Sequence, residues 1–252
     1  MTILFVRLDH LAMLRQAGAA RDPDPVVAAA LAELAGAGGI SISIGRERSS
    51  SRAQAEGNGV QERDLRMLRE VARTVLNVCL PPQDEWVKLV LAIRPDLATL
   101  IPEGRGASGP ERGLDVEDRR TEFQGMVEAF KSTGIATSIL VDPEPAQVKA
   151  AHRVGVAAVL LHTGRFCWAE NSSAQAAEFE RLVNAAKVGQ KLGVAVHAGG
   201  GLGYQTLGHV GGVSEIEAIH VGHSLIARAT LVGVSEAVRE VLRILAGNGG
   251  RR

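Results

Sequence analysis

The chain has 252 residues, of which 46% are hydrophobic and 22% charged, and its 28 Lys and Arg balance 28 Asp and Glu. That composition excludes a disordered chain, a collagen and a disulfide scaffold, and the length suits one large barrel-sized domain. The zero net charge argues against general nucleic-acid or anionic-membrane binding, and five Phe, two Trp and one Tyr leave little material for stacking bases.

The first apolar run, ILFVRL at 3–8, reads as a strand. It is too short, and too soon broken by Arg7 and Asp9, for a signal peptide or a membrane span. PDPVVAAALAELAGAGG at 23–39 has prolines where a helix starts and glycines where one stops. A second strand, ISISIG at 40–45, leads into a polar Ser/Gly-rich insertion at 46–62, expected to be a loop. TVLNVCL at 74–80 and LATLIP at 97–102 supply two more strands, and a Gly-rich loop follows at 103–114.

DVEDRRTEFQGMVEAFKSTG at 115–134 is amphipathic, with Gly134 at its C-terminal stop. ATSILVD at 136–142 is a strand, PEPAQVKAAHRVG at 143–155 a helix, and AAVLLHT at 157–163 a strand. A long helix spans 172–193. VAVHAG at 194–199 and IEAIHVG at 216–222 complete eight strands, and SEAVREVLRILAG at 235–247 closes the chain before a tail at 247–252 expected to fray. Strands rich in Val, Ile and Leu are covered on both faces. Eight strand–helix repeats over this length predict an α/β fold, a (β/α)8 TIM barrel in one domain over 1–252. A doubly wound open sheet is the alternative. Cys79 and Cys167 are far apart in sequence, which points to a reducing, cytoplasmic setting and no structural zinc.

In such a barrel chemistry sits at the C-terminal ends of the strands. Those ends carry Arg7, Asp9 and His10 on the first strand and Ser43 on the second. Asn77 and Cys79 come from the third, Glu103 from the fourth and Asp142 from the fifth. His162 and His197 follow from the sixth and seventh, then His220, Gly222 and His223 from the eighth. Five of the seven histidines therefore gather at one end. Histidine fills a core poorly and titrates near neutrality, so the gathering suits acid–base work. Candidate catalytic residues are Cys79, His162, His197 and Glu103, with Cys79 pairing to His162 or His197 as nucleophile and base. Alternatively His162, His197 and Glu103 would hold a metal with an open position; the principal reading assigns no metal and no cofactor.

The stretch VHAGGGLGY at 196–204 and the start of HVGHSLIARA at 220–229 point to an anion site. Glycines let backbone N–H groups approach a phosphate, and a helix after the eighth strand aims its N-terminus at the same place. Gly200, Gly201, Gly222 and His223 are its candidate donors, with Arg7, Asp9 and His10 beside them.

These stretches resemble the pyridoxine 5'-phosphate synthase family of the deoxyxylulose-dependent vitamin B6 pathway. RLDHLAMLRQA (7–17), PDPVVAA (23–29), ERDLRMLRE (62–70), LIPEGR (100–105), QVKAAHRVG (147–155), LLHTG (160–164), AGGGLGY (198–204) and VGHSLIARA (221–229) carry the resemblance from end to end. It implies a TIM barrel with added helices, a homo-oligomer, and condensation of 1-deoxy-D-xylulose 5-phosphate with 3-amino-2-oxopropyl phosphate. It also implies catalytic groups that this chain lacks. Ser43 stands where the family has an acid–base histidine, and Cys79 and Leu160 stand at its two glutamates. Gly200 replaces its proton-donating histidine and Arg7 replaces its asparagine. Asp9, His10, Gly201, Gly222 and His223 match. The resulting expectation is a diverged enzyme that condenses, cyclises or dehydrates a small, phosphorylated metabolite. A genuine pyridoxine 5'-phosphate synthase and a non-catalytic binding barrel are the alternatives.

Overall fold

A computed structural model describes residues 2–45, 59–103 and 112–247. Most of the 46–62 insertion, most of the 103–114 loop and the tail after Gly247 lie outside them.

Eight parallel strands close on one another: β1 (Ile3–Arg7), β2 (Gly39–Ser43), β3 (Val75–Leu80), β4 (Leu97–Leu100), β5 (Ala136–Val141), β6 (Ala158–His162), β7 (Ala195–Gly199) and β8 (Ala218–Val221). β8 pairs back onto β1, with Phe5 opposite His220, so the sheet has no edge and the open-sheet alternative falls. All eight strands lie where the apolar runs place them.

The helices are α1 (Asp9–Ala17), α2 (Pro25–Leu34), α3 (Glu62–Val71), α4 (Asp84–Ile93), α5 (Arg120–Ser132), α6 (Pro145–Arg153), α7 (Gly164–Cys167), α8 (Ser172–Leu192), α9 (Leu207–Gly211), α10 (His223–Val232) and α11 (Val234–Gly247). Their ends follow local chemistry. Asp24 caps α2 by accepting from Val26 N at 2.8 Å ahead of Pro25, and Asn171 caps α8 by accepting from Ala174 N at 2.9 Å. The expected helix at 115–134 begins only at Arg120, because Asp115 is spent on the preceding turn, accepting from Asp118 N and from Gln147 Nε2. α1 also corrects the sequence reading: Asp9 and His10 stand in its first turn rather than on the first strand.

Apolar side chains separate into two cores. The larger lies between the barrel wall and the helices, for example Val6, Ile42, Val78, Val159 and Ile219 with Phe123 and Val238. The smaller lies inside the barrel, where Cys79, Ile101, Leu140 and Leu160 pack together. The alternate residues of those strands face inward. Several other lumen positions are polar: Ser41, Asn77, Thr99, Ser138 and His220 are all buried.

Candidate active site

The mouth is built first from β1 and α1. Arg7 ends β1, and two residues later Asp9 opens α1. The turn between them brings guanidinium and carboxylate together, with Arg7 Nε and Nη2 donating to Asp9 Oδ2 at 3.1 and 2.9 Å. Arg7 Nη2 also donates to Ser43 Oγ at 2.5 Å, and Asp9 Oδ1 accepts from Ser43 N at the same distance. Burial opposes the Arg7 charge, but Asp9 beside it more than compensates and raises its pKa. Arg7 is thus a fixed cation clamped to the end of β2. Had Ser43 been a histidine, this interlock could not form as it does.

β7 and β8 complete the other side. Gly200 and Gly201 hold φ of +106° and +76°, a region open chiefly to glycine. Both are also closely overlaid. A Cβ on Gly200 would lie 2.8 Å from His162 Cδ2, and one on Gly201 would lie 2.8 Å from Trp168 Cζ2. The glycines therefore give His162 and Trp168 room as well as turning the chain. Neither Gly200 N nor Gly201 N donates a hydrogen bond among the described residues. The two loops meet, because Ser224 Oγ in the first turn of α10 donates to Leu202 O at 2.6 Å. α10 itself starts at Gly222 with no side-chain cap. His10 and His223 approach with ring centroids 5.1 Å apart, and a Cβ on Gly222 would touch Arg7 Cβ at 3.3 Å. Arg7, Asp9, His10, Gly222 and His223 are accordingly one cluster, with Gly200 and Gly201 on the adjacent loop.

The candidate catalytic residues arrange differently from expectation. Cys79 is fully buried, and its Sγ lies 3.5 Å from Asn77 Nδ2. Burial pushes its thiol pKa up, with Arg7 only partly opposing, which disfavours the thiolate. His197 pairs with His220 instead, Nδ1 to Nε2 at 3.2 Å. His162 is buried beside Gly164 and Gly200. Glu103 is half-buried just beyond β4. The alternative that His162, His197 and Glu103 hold a metal is corrected: no three His, Cys, Asp or Glu among the described residues are grouped to do so.

Deeper still, hydrogen bonds run across the barrel. Thr99 Oγ1 donates to Asn77 Oδ1 at 2.7 Å, Asn77 Nδ2 donates to Ser41 Oγ at 2.9 Å, and Ser41 Oγ meets His220 Nδ1 at 3.1 Å. Phe5 stacks on His220, with centroids 4.4 Å apart and planes within 9°. Ser41, Thr99 and Phe5 were not candidates in the sequence. The signal for Ser41 and Thr99 was polar residues recurring at every second position inside strands that are otherwise Val, Ile and Leu; Phe5 carried no such signal.

An eight-stranded barrel with its polar groups and glycine turns gathered at the strands' C-terminal ends is a small-molecule barrel. The chain belongs to the family of the pyridoxal phosphate biosynthesis protein PdxJ, whose model matches residues 4–247. It is 41% identical over 247 residues to pyridoxine 5'-phosphate synthase of Syntrophotalea carbinolica, covering 98% of this chain and all of the relative. The corresponding protein of Geobacter metallireducens is 42% identical, covering 97% and 99%. Among solved structures, a mutant tryptophan synthase α-subunit from Pyrococcus furiosus superposes with a TM-score of 0.60 at 16% identity, covering 98% of this chain and 97% of that one. That likeness concerns the fold. Among the described residues no helix is long and apolar enough to cross a membrane.

Proposed function

We propose that the chain is a pyridoxine 5'-phosphate synthase of vitamin B6 biosynthesis, a barrel that binds a small phosphorylated substrate between the β7 and β8 loops. The observation that carries the phosphate half is the meeting of Gly200 and Gly201 with the uncapped start of α10, tied together by Ser224 and Leu202. Helix starts and glycine turns present N–H groups to anions. The synthase half is supported by relatives that share about two residues in five over nearly the whole chain. A cytoplasmic setting fits the two free cysteines. A homo-oligomer fits the exposed Leu34 and Leu231. The direct test supplies the purified chain with 1-deoxy-D-xylulose 5-phosphate and 3-amino-2-oxopropyl phosphate. Formation of pyridoxine 5'-phosphate, and growth of a pyridoxine auxotroph carrying the gene, are the expected results; failure of both overturns the synthase half.

One observation favours a second reading, a different condensation, cyclisation or dehydration on the same phosphorylated ligand. The lumen positions at Cys79 and Leu160, where the resemblance calls for carboxylates, form part of an apolar patch with Ile101 and Leu140. Each proton-transfer group is worth about 10²–10⁴ in rate, and an apolar wall supplies none. The same assay separates the readings: phosphate binding without pyridoxine 5'-phosphate formation selects the second.

The phosphate site has its own prediction. Gly201→Leu places a side chain against Trp168 at a φ that leucine resists. Titration calorimetry with inorganic phosphate is expected to show affinity lowered by about tenfold or more, roughly 1.4 kcal/mol, while the far-UV spectrum stays that of a folded barrel. Unchanged affinity would show that phosphate binds elsewhere.

A further inference from the structure

The hydrogen bonds inside the barrel have a direction. Asn77 Nδ2 faces two acceptors, Ser41 Oγ at 2.9 Å and Cys79 Sγ at 3.5 Å, while its Oδ1 faces the Thr99 hydroxyl at 2.7 Å. Two amide hydrogens thereby meet two partners, and the carbonyl meets a donor. Ser41 Oγ, having accepted from Asn77, has its own hydrogen left to give, and His220 Nδ1 lies 3.1 Å away. An imidazole that accepts at Nδ1 carries its proton at Nε2. His220 Nε2 then donates to His197 Nδ1 at 3.2 Å, so His197 in turn carries its proton at Nε2.

The chain of hydrogen bonds ends at the His197 ring. His197 Nε2 has no hydrogen-bond partner among the described residues, and it is not among the polar atoms sealed from water without one. His197 stands on β7 two residues before Gly199, at the root of the glycine turn.

We infer that the relay Thr99–Asn77–Ser41–His220 holds His197 as its Nε2–H tautomer, making His197 a hydrogen-bond donor to a carbonyl or enolate oxygen of the bound substrate and His220 its positioning residue. The donor role rests on the phosphorylated-substrate reading above; the tautomer does not. The groups facing the pair agree. Phe5 packs against both rings, with centroids 4.4 Å from His220 and 5.6 Å from His197. Burial lowers the His197 pKa to about 4. Burial, His197 and the Arg7 cation all push His220 down. Neither ring takes a second proton near neutrality, so the donor is a neutral imidazole. Such a donor is a weak enough acid to share a proton with an enolate without being spent by ionising first. No bond is made or broken at His197: it offers a hydrogen bond where negative charge develops.

The test is nitrogen-detected NMR on the full-length protein labelled with 15N-histidine. In the free protein His197 is expected to show a protonated Nε2 and a bare Nδ1, unchanged between about pH 8 and about pH 5.5. His220→Phe keeps a ring against Phe5 but removes both nitrogens, and should leave His197 a mixture of tautomers. Ser41→Ala, a smaller change should the first variant not fold, should loosen the preference in the same way, and Ser41→Thr should restore it. A protonated Nδ1 in the wild type, or a His197 tautomer indifferent to both variants, overturns the relay. Dihydroxyacetone phosphate, a small keto phosphate, then probes the donor role, with inorganic phosphate as the control. Both ligands should move the Gly201 amide, and only the keto phosphate should move His197 Nε2. If Gly201 responds and His197 does not, the donor role is wrong while phosphate binding stands. If neither responds, the phosphorylated-substrate reading fails and takes the donor role with it, leaving the relay decided by the free protein.

Discussion

Arg15→Ala is expected to destabilise the protein by about 3–5 kcal/mol, the usual consequence of stripping one partner from a buried ion pair. Arg15 on α1 reaches Asp64 on α3 through two bonds, Nη1 to Oδ1 at 2.9 Å and Nη2 to Oδ2 at 2.6 Å, and Nη2 also donates to Gly59 O at 2.7 Å. Both side chains are nearly or wholly shielded from solvent. Asp64 additionally accepts from Gln61 N, at the entry to α3. Removing the guanidinium leaves the buried carboxylate only the Gln61 amide and the more distant Arg63, whose Nη1 lies 3.9 Å from Oδ1, strands the buried Gly59 carbonyl, and releases the start of α3 from α1. Urea unfolding of the two proteins reads the difference; a loss under about 1 kcal/mol would mean that water replaces the guanidinium freely.

The same pair sets an acid limit. Burial alone would raise the Asp64 pKa, but the Arg15 hydrogen bonds and the Gln61 amide outweigh it and the net shift is downward. A carboxyl whose folded pKa lies below its unfolded value contributes stability that is present above the unfolded value, about 3.9, and lost as pH falls through the folded one. The wild type should therefore lose more stability below about pH 4 than Arg15→Ala does.

The barrel was legible because its strands are nearly continuous apolar runs separated by helix-length segments, and period and length suffice for that inference. The placement of Asp9 was not, because a carboxylate after a strand reads equally as a loop cap and as the first turn of a helix. That the glycine turn after β7 meets the start of α10 was legible from glycine spacing. The lumen chain was not: Ser41, Asn77 and Thr99 sit on three different strands, and only the register that sets Ser41 beside Asn77, with Cys79 opposite Ser43, brings them together. Cys79 illustrates the converse error. Its position at the mouth suggested a nucleophile, whereas its surroundings of Ile101, Leu140 and Leu160 hold it as a protonated thiol. Position along a strand is written in the sequence, and the dielectric around it is not.

Asp9→Ala is expected to be as costly as Arg15→Ala, about 3–5 kcal/mol, and to loosen the mouth as well. Asp9 is 7% exposed and supplies the acceptors for Arg7 and for the Ser43 backbone N–H, so alanine strands a largely buried cation and a buried amide together. A double-mutant comparison separates the two losses. Asp9→Asn keeps an oxygen for Ser43 N but removes the counter-charge, leaving Arg7 unpaired. Arg7→Met removes the cation and fills its stem volume with an apolar chain. Combining them abolishes the charge problem altogether, so Arg7→Met/Asp9→Asn should be less destabilised than the sum of its parts, with a coupling of about 0.5–3 kcal/mol. If the double variant is simply additive, the guanidinium is solvated by water at the mouth. Its role there would then be to meet the substrate's charge, and the fixed bracket between β1 and β2 would be owed to the Asp9–Ser43 contacts alone.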